Sequence, residues 1–202
     1  MRTVWHPRLR ETGRIMNAPL VVEYSAIPPT PWKNGRGVTR NLFDDATDAG
    51  VWTWRVSIAE ITGTQPYSPY PGVRRGQVAL GPGAVDLRID GRDLVLDPEG
   101  IVVFDGEAEV TASPREAGFL DLNVMTRRDT WESDVQCVDD PGVTEAGDGI
   151  VILVALGDTA LVDGRSLARL DSVMLGASAS ASADVRGRFA VARIAARRHP
   201  LG

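Results

Sequence analysis

The sequence has almost none of the side chains on which most metal centres and nucleophilic active sites depend. Only two of its 202 residues are histidines, His6 and His199, and both lie near the ends of the chain. The body of the fold therefore lacks the imidazoles for a multi-histidine metal site or for a Ser-His or Cys-His catalytic pair. The single cysteine, Cys137, cannot form an internal disulfide, which is typical of a cytoplasmic protein. We expect no metal ion and no other cofactor.

Long apolar runs and clusters of positive charge are also missing. No run approaches the roughly 18 apolar residues of a transmembrane helix, and the N-terminal segment lacks the apolar region of a signal peptide. The formal net charge is −5 and the basic residues are dispersed, which argues against a nucleic-acid-binding surface. We therefore expect a cytoplasmic protein that binds neither membranes nor nucleic acids.

Capped amphipathic helices are absent as well, and short strand-like runs take their place from residue 19 onward. Gly, Pro and Asp-Gly turns separate the runs, a pattern typical of an all-β sandwich or barrel. The clearest run covers 51–61, where alternation places Trp52 and Trp54 on one face and Arg55 and Ser57 on the other. The sequence therefore predicts an all-β fold.

An internal similarity points to two related halves. Ala-Leu-Gly occurs at 79–81 and again at 155–157, and each copy is followed by a strand and an Asp-Gly-Arg turn, at 90–92 and at 163–165. Asp-Gly is a preferred two-residue hairpin turn, so each copy predicts a β-hairpin. The similarity fits a duplicated unit, and it also fits chance reuse of hairpin residues.

The stretch at 31–40, Pro-Trp-Lys-Asn-Gly-Arg-Gly-Val-Thr-Arg, combines a stiff entry, a turn and three cationic side chains. Pro31 fixes the backbone at the entry, while Asn34 and Gly35 favour a turn because both tolerate positive φ. The stretch is either an ordinary surface turn or a loop that brings amides and cations to a ligand.

Polar side chains share one face in two of the predicted strands. Arg55 and Ser57 lie opposite the tryptophans, and alternation in 119–127 groups Asp121, Asn123, Met125 and Arg127. Such a face is either exposed to solvent, as in many antiparallel strands, or lines the interior of a barrel. Arginines with Asn, Ser and Thr suit a small carboxylate, because guanidinium binds it through two charge-assisted hydrogen bonds.

Five ordered blocks of the sequence resemble the HutD/Ves family. They are Pro-Trp-Lys-Asn-Gly at 31–35 with Gly37, Thr39 and Arg40; Trp-Arg-Val-Ser-Ile-Ala at 54–59; Tyr-Ser-x-Tyr-Pro-Gly at 67–72 with Arg75; Phe-Asp-Gly-Glu at 104–107; and Asp-Leu-Asn-Val-Met-Thr-Arg-Arg at 121–128. The resemblance covers about residues 20–200. It implies an RmlC-like cupin β-barrel or jelly roll, with two cupin-like halves in one chain. We place this bicupin domain at 18–202, with halves of about 18–130 and 131–202 that exchange strands or remain separate, after an N-terminal extension at 1–17.

The resemblance also implies a ligand and its binding residues. Family members are bacterial proteins associated with histidine utilisation or stress response, and are thought to bind a small acidic metabolite such as N-formylglutamate or urocanate. No catalytic residue is implied. Carried over motif by motif, the ligand-binding residues are Asn34, Thr39, Arg40, Arg55, Ser57, Ser68, Arg75, Asn123 and Arg127. The four arginines of this set are the candidates for binding the carboxylate.

Three positions depart from the family pattern. Arg36 stands where a small residue is commoner. Arg74 stands just before Arg75 where an acidic residue is expected, and its extra cation either alters the preferred ligand charge or points outward. Asn41 follows Arg40 where family members often carry an acidic residue. The partner of Arg40 therefore comes from elsewhere in the fold or is missing.

The first hypothesis is a metal-independent binding protein for a small carboxylate metabolite, which regulates or buffers histidine utilisation. The second is a cupin-type isomerase or hydrolase that uses Glu107 or Asp121 with Lys33 or Tyr67 as its acid–base pair. A strongly raised carboxylate pKa inside the cavity would favour it. The third is a structural dimerisation module, since exposed sheet edges allow a homodimer to form. It predicts an interior filled with apolar side chains.

Overall fold

Alternating side chains and glycine-rich turns build a chain made almost wholly of strands. The computed structural model describes residues 18–32, 35–176 and 178–197, with the backbone alone for 178–180. Within these residues the one helical element is a 3-10 turn at Tyr24–Ala26. The prediction of an all-β fold is confirmed. No helix in the described part of the chain is long and apolar enough to cross a membrane.

The described residues form nineteen strands, eleven of which begin before residue 130. These are β1 (Leu20–Val22), β2 (Thr30–Pro31), β3 (Gly37–Asp44), β4 (Trp54–Ile61), β5 (Gln65–Pro66), β6 (Val73–Gly81), β7 (Val85–Ile89), β8 (Arg92–Leu96), β9 (Ile101–Asp105), β10 (Val110–Pro114) and β11 (Phe119–Arg127). The others are β12 (Trp131–Asp139), β13 (Gly142–Gly147), β14 (Ile150–Ala155), β15 (Ala160–Val162), β16 (Arg165–Leu167), β17 (Ser172–Leu175), β18 (Ser178–Arg186) and β19 (Arg188–Ala196).

The strands pair into four antiparallel sheets. A six-stranded sheet, in the order β2-β3-β4-β11-β6-β9, accompanies a four-stranded sheet, β5-β10-β7-β8. A five-stranded sheet, β1-β17-β14-β19-β12, accompanies the four-stranded sheet β13-β18-β15-β16. We call the first pair of sheets the first half and the second pair the second half. Strand β1 comes first in the chain but belongs to the second half, because Leu20 pairs with Met174 of β17 and β1 thereby extends the five-stranded sheet.

Three apolar cores lie between these sheets, so the sheets form layers. One core packs the six-stranded against the five-stranded sheet and contains Trp54, Val124 and Ile152. Each half has its own core between its two sheets, with Phe119 in the first half and Phe189 in the second. The central core joins the two halves through one continuous apolar interface.

The two predicted Asp-Gly hairpins are confirmed, and they are alike in detail. Asp90 and Gly91 connect β7 to β8, and Asp163 and Gly164 connect β15 to β16, with positive φ at all four residues. The Asp90 carboxylate accepts the amide of Glu109, as the Asp163 carboxylate accepts the amide of Asp184. Positive φ at both turn residues defines the hairpin turn that matches the twist of the strands.

Candidate functional site

A cavity of about 540 Å³ opens inside the first half. Its floor is the inner face of the six-stranded sheet, and its walls are the segments at 30–32 and 66–70. The lining residues are Thr30, Pro31, Trp32, Thr39, Asn41, Arg55, Ser57, Ala59, Pro66, Tyr67, Ser68, Tyr70, Arg75, Asp121, Asn123 and Met125. The volume suits a small metabolite.

Strand register places the polar side chains of the floor in rows that cross the sheet. In one row Met125 lies between Arg55 and Arg75. In the next row Asn123 lies between Ser57 and Gln77. Because side chains alternate along each strand, residues two apart on β4, β6 and β11 add to the same face. The sequence prediction that Arg55 and Ser57 lie opposite Trp54 is confirmed, since Trp54 is buried in the central core.

Arg55 is held by aromatic rings. Its guanidinium carbon lies 4.6 Å from the ring centre of Trp52 and 5.7 Å from that of Tyr70. Among the described residues it forms no ion pair. Trp52 therefore does not share a face with Trp54 as the sequence predicted, because it precedes β4 and packs on Arg55.

Arg75 is more deeply buried, with 6% of its surface exposed. Its guanidinium carbon lies 4.8 Å from the ring centre of Tyr67 and 5.1 Å from that of Phe104, and its Nη2 donates to Asn123 Oδ1 at 2.6 Å. It too lacks an ion pair within the described part of the chain. Burial lowers its pKa, and the nearby Tyr67 and Asp121 oppose this shift.

Asp121 is the one carboxylate among the described lining residues, and it is 1% exposed. Its Oδ2 accepts hydrogen bonds from Gln77 Nε2 at 2.6 Å, Asn123 Nδ2 at 3.1 Å and the Tyr67 hydroxyl at 3.4 Å. Its Oδ1 is buried without a partner. Asn123 thus links Asp121 to Arg75 without direct contact between the two charges.

Burial dominates the ionisation of this network. It raises the pKa of Asp121 from 3.8 to about 6, although Arg75 and the donated hydrogen bonds favour the charged form. Burial and the neighbouring Asp121 raise the pKa of Tyr67 well above its ordinary value, so Tyr67 stays neutral. The cavity therefore contains one carboxyl that titrates near neutral pH.

The segment at 66–72 closes one side of the cavity because glycine lets it approach β9. The Tyr70 amide donates to Gly106 O at 2.7 Å, and a Cβ at position 106 would lie 2.4 Å from the Tyr70 carbonyl oxygen. Any larger residue at 106 would displace this segment. Tyr70 in turn lies against both cavity arginines.

Six of the nine ligand-binding residues predicted from the resemblance come together in the cavity. They are Thr39, Arg55, Ser57, Ser68, Arg75 and Asn123. Asn34 lies outside the described residues. Arg40 is absent from the lining because it alternates with Thr39 on β3. Its guanidinium donates to Ile27 O at 3.1 Å and to the Tyr24 hydroxyl, which identifies the partners that the sequence left open.

Arg127 and Arg74 are also located away from the cavity. Arg127 ends β11 at an exposed position and donates to Pro71 O at 3.3 Å. Arg74 points outward and pairs with Asp105 at 3.3 Å, so the extra cation adds no charge to the cavity. Glu107, one of the two proposed catalytic carboxylates, is an exposed partner of Arg128.

Ten of the sixteen described lining residues, and Gln77 beside them, were not predicted as ligand-binding residues. Trp32 hydrogen-bonds Thr39 Oγ1 through its indole nitrogen at 2.7 Å and forms a wall. Tyr67 and Tyr70 form another wall. Asn41 lies two residues after Thr39 on β3, and Gln77 lies two residues after Arg75 on β6. Residues two apart on a strand face the same side, so this spacing could have revealed both.

The described residues contain no group of three His, Cys, Asp or Glu side chains that could hold a metal ion. Within the described residues, the charged groups that line the cavity are two guanidinium groups and one carboxylate. Guanidinium does not coordinate metal ions, and one carboxylate alone is a poor ligand set. The donor set suits an anion better than a divalent cation.

Sequence comparison relates this chain to bacterial proteins. The HutD family model matches residues 24–192. Protein Ves of Citrobacter koseri is 35% identical over 68% of this chain and 73% of its own length. A Pseudomonas putida protein described as an uncharacterized 21.2 kDa protein in the hutC 3′ region is 27% identical over 84% of this chain and 94% of its own length.

Two solved structures share the fold. HutD from Pseudomonas fluorescens SBW25, in a formate condition, has a TM-score of 0.80 at 24% identity and covers 90% of this chain and 100% of its own. The pirin YhhW from Escherichia coli, in complex with nickel(II), has a TM-score of 0.59 at 9% identity and covers 90% of this chain and 100% of its own. The fold of this chain is therefore all-β and cupin-like.

Proposed function

This chain belongs to the HutD family, and from that premise we propose that it binds a small carboxylate metabolite without a metal ion and regulates or buffers histidine utilisation. The link to histidine utilisation is supported by the family and by the similar protein from the hutC region of Pseudomonas putida. The ligand class is an acid that resembles N-formylglutamate or urocanate.

The observation that carries the proposal is the state of the two cavity arginines. Arg55 and Arg75 line one cavity, and aromatic rings rather than carboxylates surround their guanidinium groups. A buried guanidinium without an ion pair is costly, unless a ligand supplies the missing negative charge. The Nε atoms of both arginines are also buried without a hydrogen-bond partner, and a ligand carboxylate could accept from them.

The other lining residues give such a ligand an orientation. Ser57, Asn41 and Asn123 offer neutral polar groups beside the arginines, and Trp32 with Tyr70 offers apolar surface. We assign the carboxylate of the ligand to the arginine row and its remaining atoms to the side of the cavity near Trp32. Cation–π contacts keep the guanidinium planes in place before the ligand arrives.

We also propose that the two halves are two cupin units, and that β1 is exchanged from the first into the second. The matching Asp-Gly hairpins support this proposal, as does the pairing of one larger and one four-stranded sheet in each half. In this arrangement the first unit holds the ligand and the second is structural.

The test is a binding screen with purified, chelator-treated protein. Thermal-shift and calorimetric titrations would compare urocanate, N-formylglutamate, histidine, glutamate and formate. We expect saturable binding of at least one acid in the absence of metal, with a raised Tm. Binding that appears only after a divalent metal is added would contradict the proposal.

A second candidate function is acid–base catalysis, and the ionisation of Asp121 favours it. A carboxyl with a pKa of about 6 inside a ligand cavity has the value expected of a general acid or base. Tyr67 contacts Asp121 and lines the same cavity. Conversion of a bound acid, followed by proton NMR and abolished in Asp121→Asn, would establish this function.

A further inference from the structure

The charges around the cavity do not balance. Among the described lining residues, Arg55 and Arg75 carry two positive charges, and Asp121 carries at most one negative charge. A ligand with one carboxylate makes the sum zero when Asp121 is ionised. A ligand with two carboxylates makes the sum zero only when Asp121 is protonated.

Asp121 cannot move away from a second carboxylate. Three donors from Gln77, Asn123 and Tyr67 hold its Oδ2, and the residue is almost fully buried in the cavity lining. Its charge is therefore a fixed property of the site. In a region of low dielectric constant, an unbalanced charge at short range is strongly unfavourable.

We propose that Asp121 is a specificity-determining residue of this cavity, which makes the site prefer a ligand with one carboxylate over an isosteric ligand with two. The inference rests on the proposed function and narrows its ligand class, since it favours an acid with one carboxylate, such as urocanate, over a dicarboxylate such as N-formylglutamate. Asp121 acts through the electrostatic potential of the cavity.

The preference depends on pH through the same residue. The described titratable and charged groups that act on Asp121 are Arg75 on β6 and Tyr67 after β5, and Tyr67 stays neutral. Above a pH of about 6 Asp121 is ionised and a dicarboxylate must bring a proton with it. Below that pH Asp121 is already neutral, so the discrimination against the dicarboxylate disappears.

The test uses an isosteric pair of probes, N-formylglutamate and N-formylglutamine, which differ in one carboxylate. Calorimetry at about pH 7.5 would give Kd for both probes with the wild-type protein and with Asp121→Asn. We expect the wild type to bind N-formylglutamine at least roughly tenfold more tightly, and Asp121→Asn to abolish or reverse this ratio. Titrations in buffers of different ionisation enthalpy should show that N-formylglutamate alone binds with uptake of a proton.

The Asp121→Asn variant is designed to keep the network intact. The carbonyl oxygen of the new amide can accept the three hydrogen bonds of Oδ2, and the amide nitrogen takes the place of Oδ1, which has no partner. Asp86→Asn is the matched control, because Asp86 pairs with Arg115 at an exposed position outside the cavity lining. It should leave the Kd ratio unchanged.

Equal Kd ratios in the wild type and in Asp121→Asn, without proton uptake, would overturn this inference and leave the proposed function intact. Binding of neither probe by a protein that binds urocanate would also overturn it, since size rather than charge would then decide. Failure of every acid to bind would overturn the proposed function and the inference together.

Discussion

Each half of this protein contains two sheets, and the central rows of side chains inside the two halves differ. In the first half the central row across the floor is Ser57, Asn123 and Gln77, and all three are buried. In the second half the row across β17, β14 and β19 is Val173, Leu153 and Val191. The first half thus has a polar cavity beside its own apolar core, whereas the corresponding row of the second half belongs to an apolar core.

The cost of this polar interior is concentrated in the first half. Five of the six buried side-chain atoms without a hydrogen-bond partner in the described residues belong to Asn41, Arg55, Arg75, Gln77 and Asp121. Each such atom destabilises the folded state by about 1–3 kcal/mol. The apolar core of the second half and the central core offset this cost. The polar interior of the first half is therefore tolerated because apolar packing elsewhere in the fold offsets its cost.

The largest expected effect concerns the interior of the second half. Phe189 is fully buried there, so Phe189→Ala should lower the free energy of unfolding by about 3–5 kcal/mol. Urea denaturation measures this change. A loss below about 1 kcal/mol would show that the second interior is not tightly packed.

A substitution in the cavity should weaken ligand binding without lowering the stability of the fold. Arg75→Met removes a buried charge and keeps most of the side-chain volume, so stability should hold or increase. Binding of the carboxylate should weaken by about 1.5–3 kcal/mol, the range for a charge-assisted hydrogen bond. The matched control is Arg88→Met, since Arg88 lies on an exposed surface next to Asp93. If Arg75→Met and Arg88→Met weaken binding equally, the assignment of Arg75 is wrong.

The stability of the protein should also depend on pH through Asp121 of the first half. The folded-state pKa of Asp121 is raised to about 6, so its stabilising contribution is complete below its unfolded pKa and is lost as the pH rises through 6. Between about pH 4.5 and about pH 8, the wild type should lose about 2 kcal/mol more than Asp121→Asn. Parallel urea titrations of the two proteins measure this difference, and superimposable pH profiles would contradict it.

The smallest effect is expected at Arg40, which the resemblance included among the carboxylate-binding residues. Its side chain donates to Ile27 O and contacts Tyr24 outside the cavity lining. Arg40→Met should therefore change the ligand Kd by less than about twofold, below the energy of one ordinary hydrogen bond. A loss as large as that of Arg75→Met would restore Arg40 to the binding site.

Much of the fold could be predicted because its signals are local. Alternation in β4 and the Asp-Gly hairpins required only neighbouring residues. Strands β12 and β18 also alternate, but they contain few large apolar residues, and β13 shows no clear alternation. Their sequences are rich in Asp, Glu, Ser, Ala or Gly, and long-range pairing rather than intrinsic propensity makes them strands. The pairing of β1 with β17 is equally non-local.

The site residues could be predicted where side chains alternate along a recognisable strand. Arg55, Ser57 and Asn123 follow from alternation once an interior is assumed. Arg40 did not, because 31–40 was interpreted as one loop, whereas residues 37–44 form β3 and alternate. The charge environment of Asp121 depends on donors from three separate segments, and no single stretch of sequence contains it.

The most direct test of the account is a calorimetric titration of chelator-treated protein with urocanate, beside the double variant Arg55→Met/Arg75→Met. We predict saturable binding by the wild type at one site per chain, and no measurable binding by a double variant that melts at or above the wild-type temperature. Equal binding by both proteins would contradict the central claim that the two cavity arginines hold the ligand.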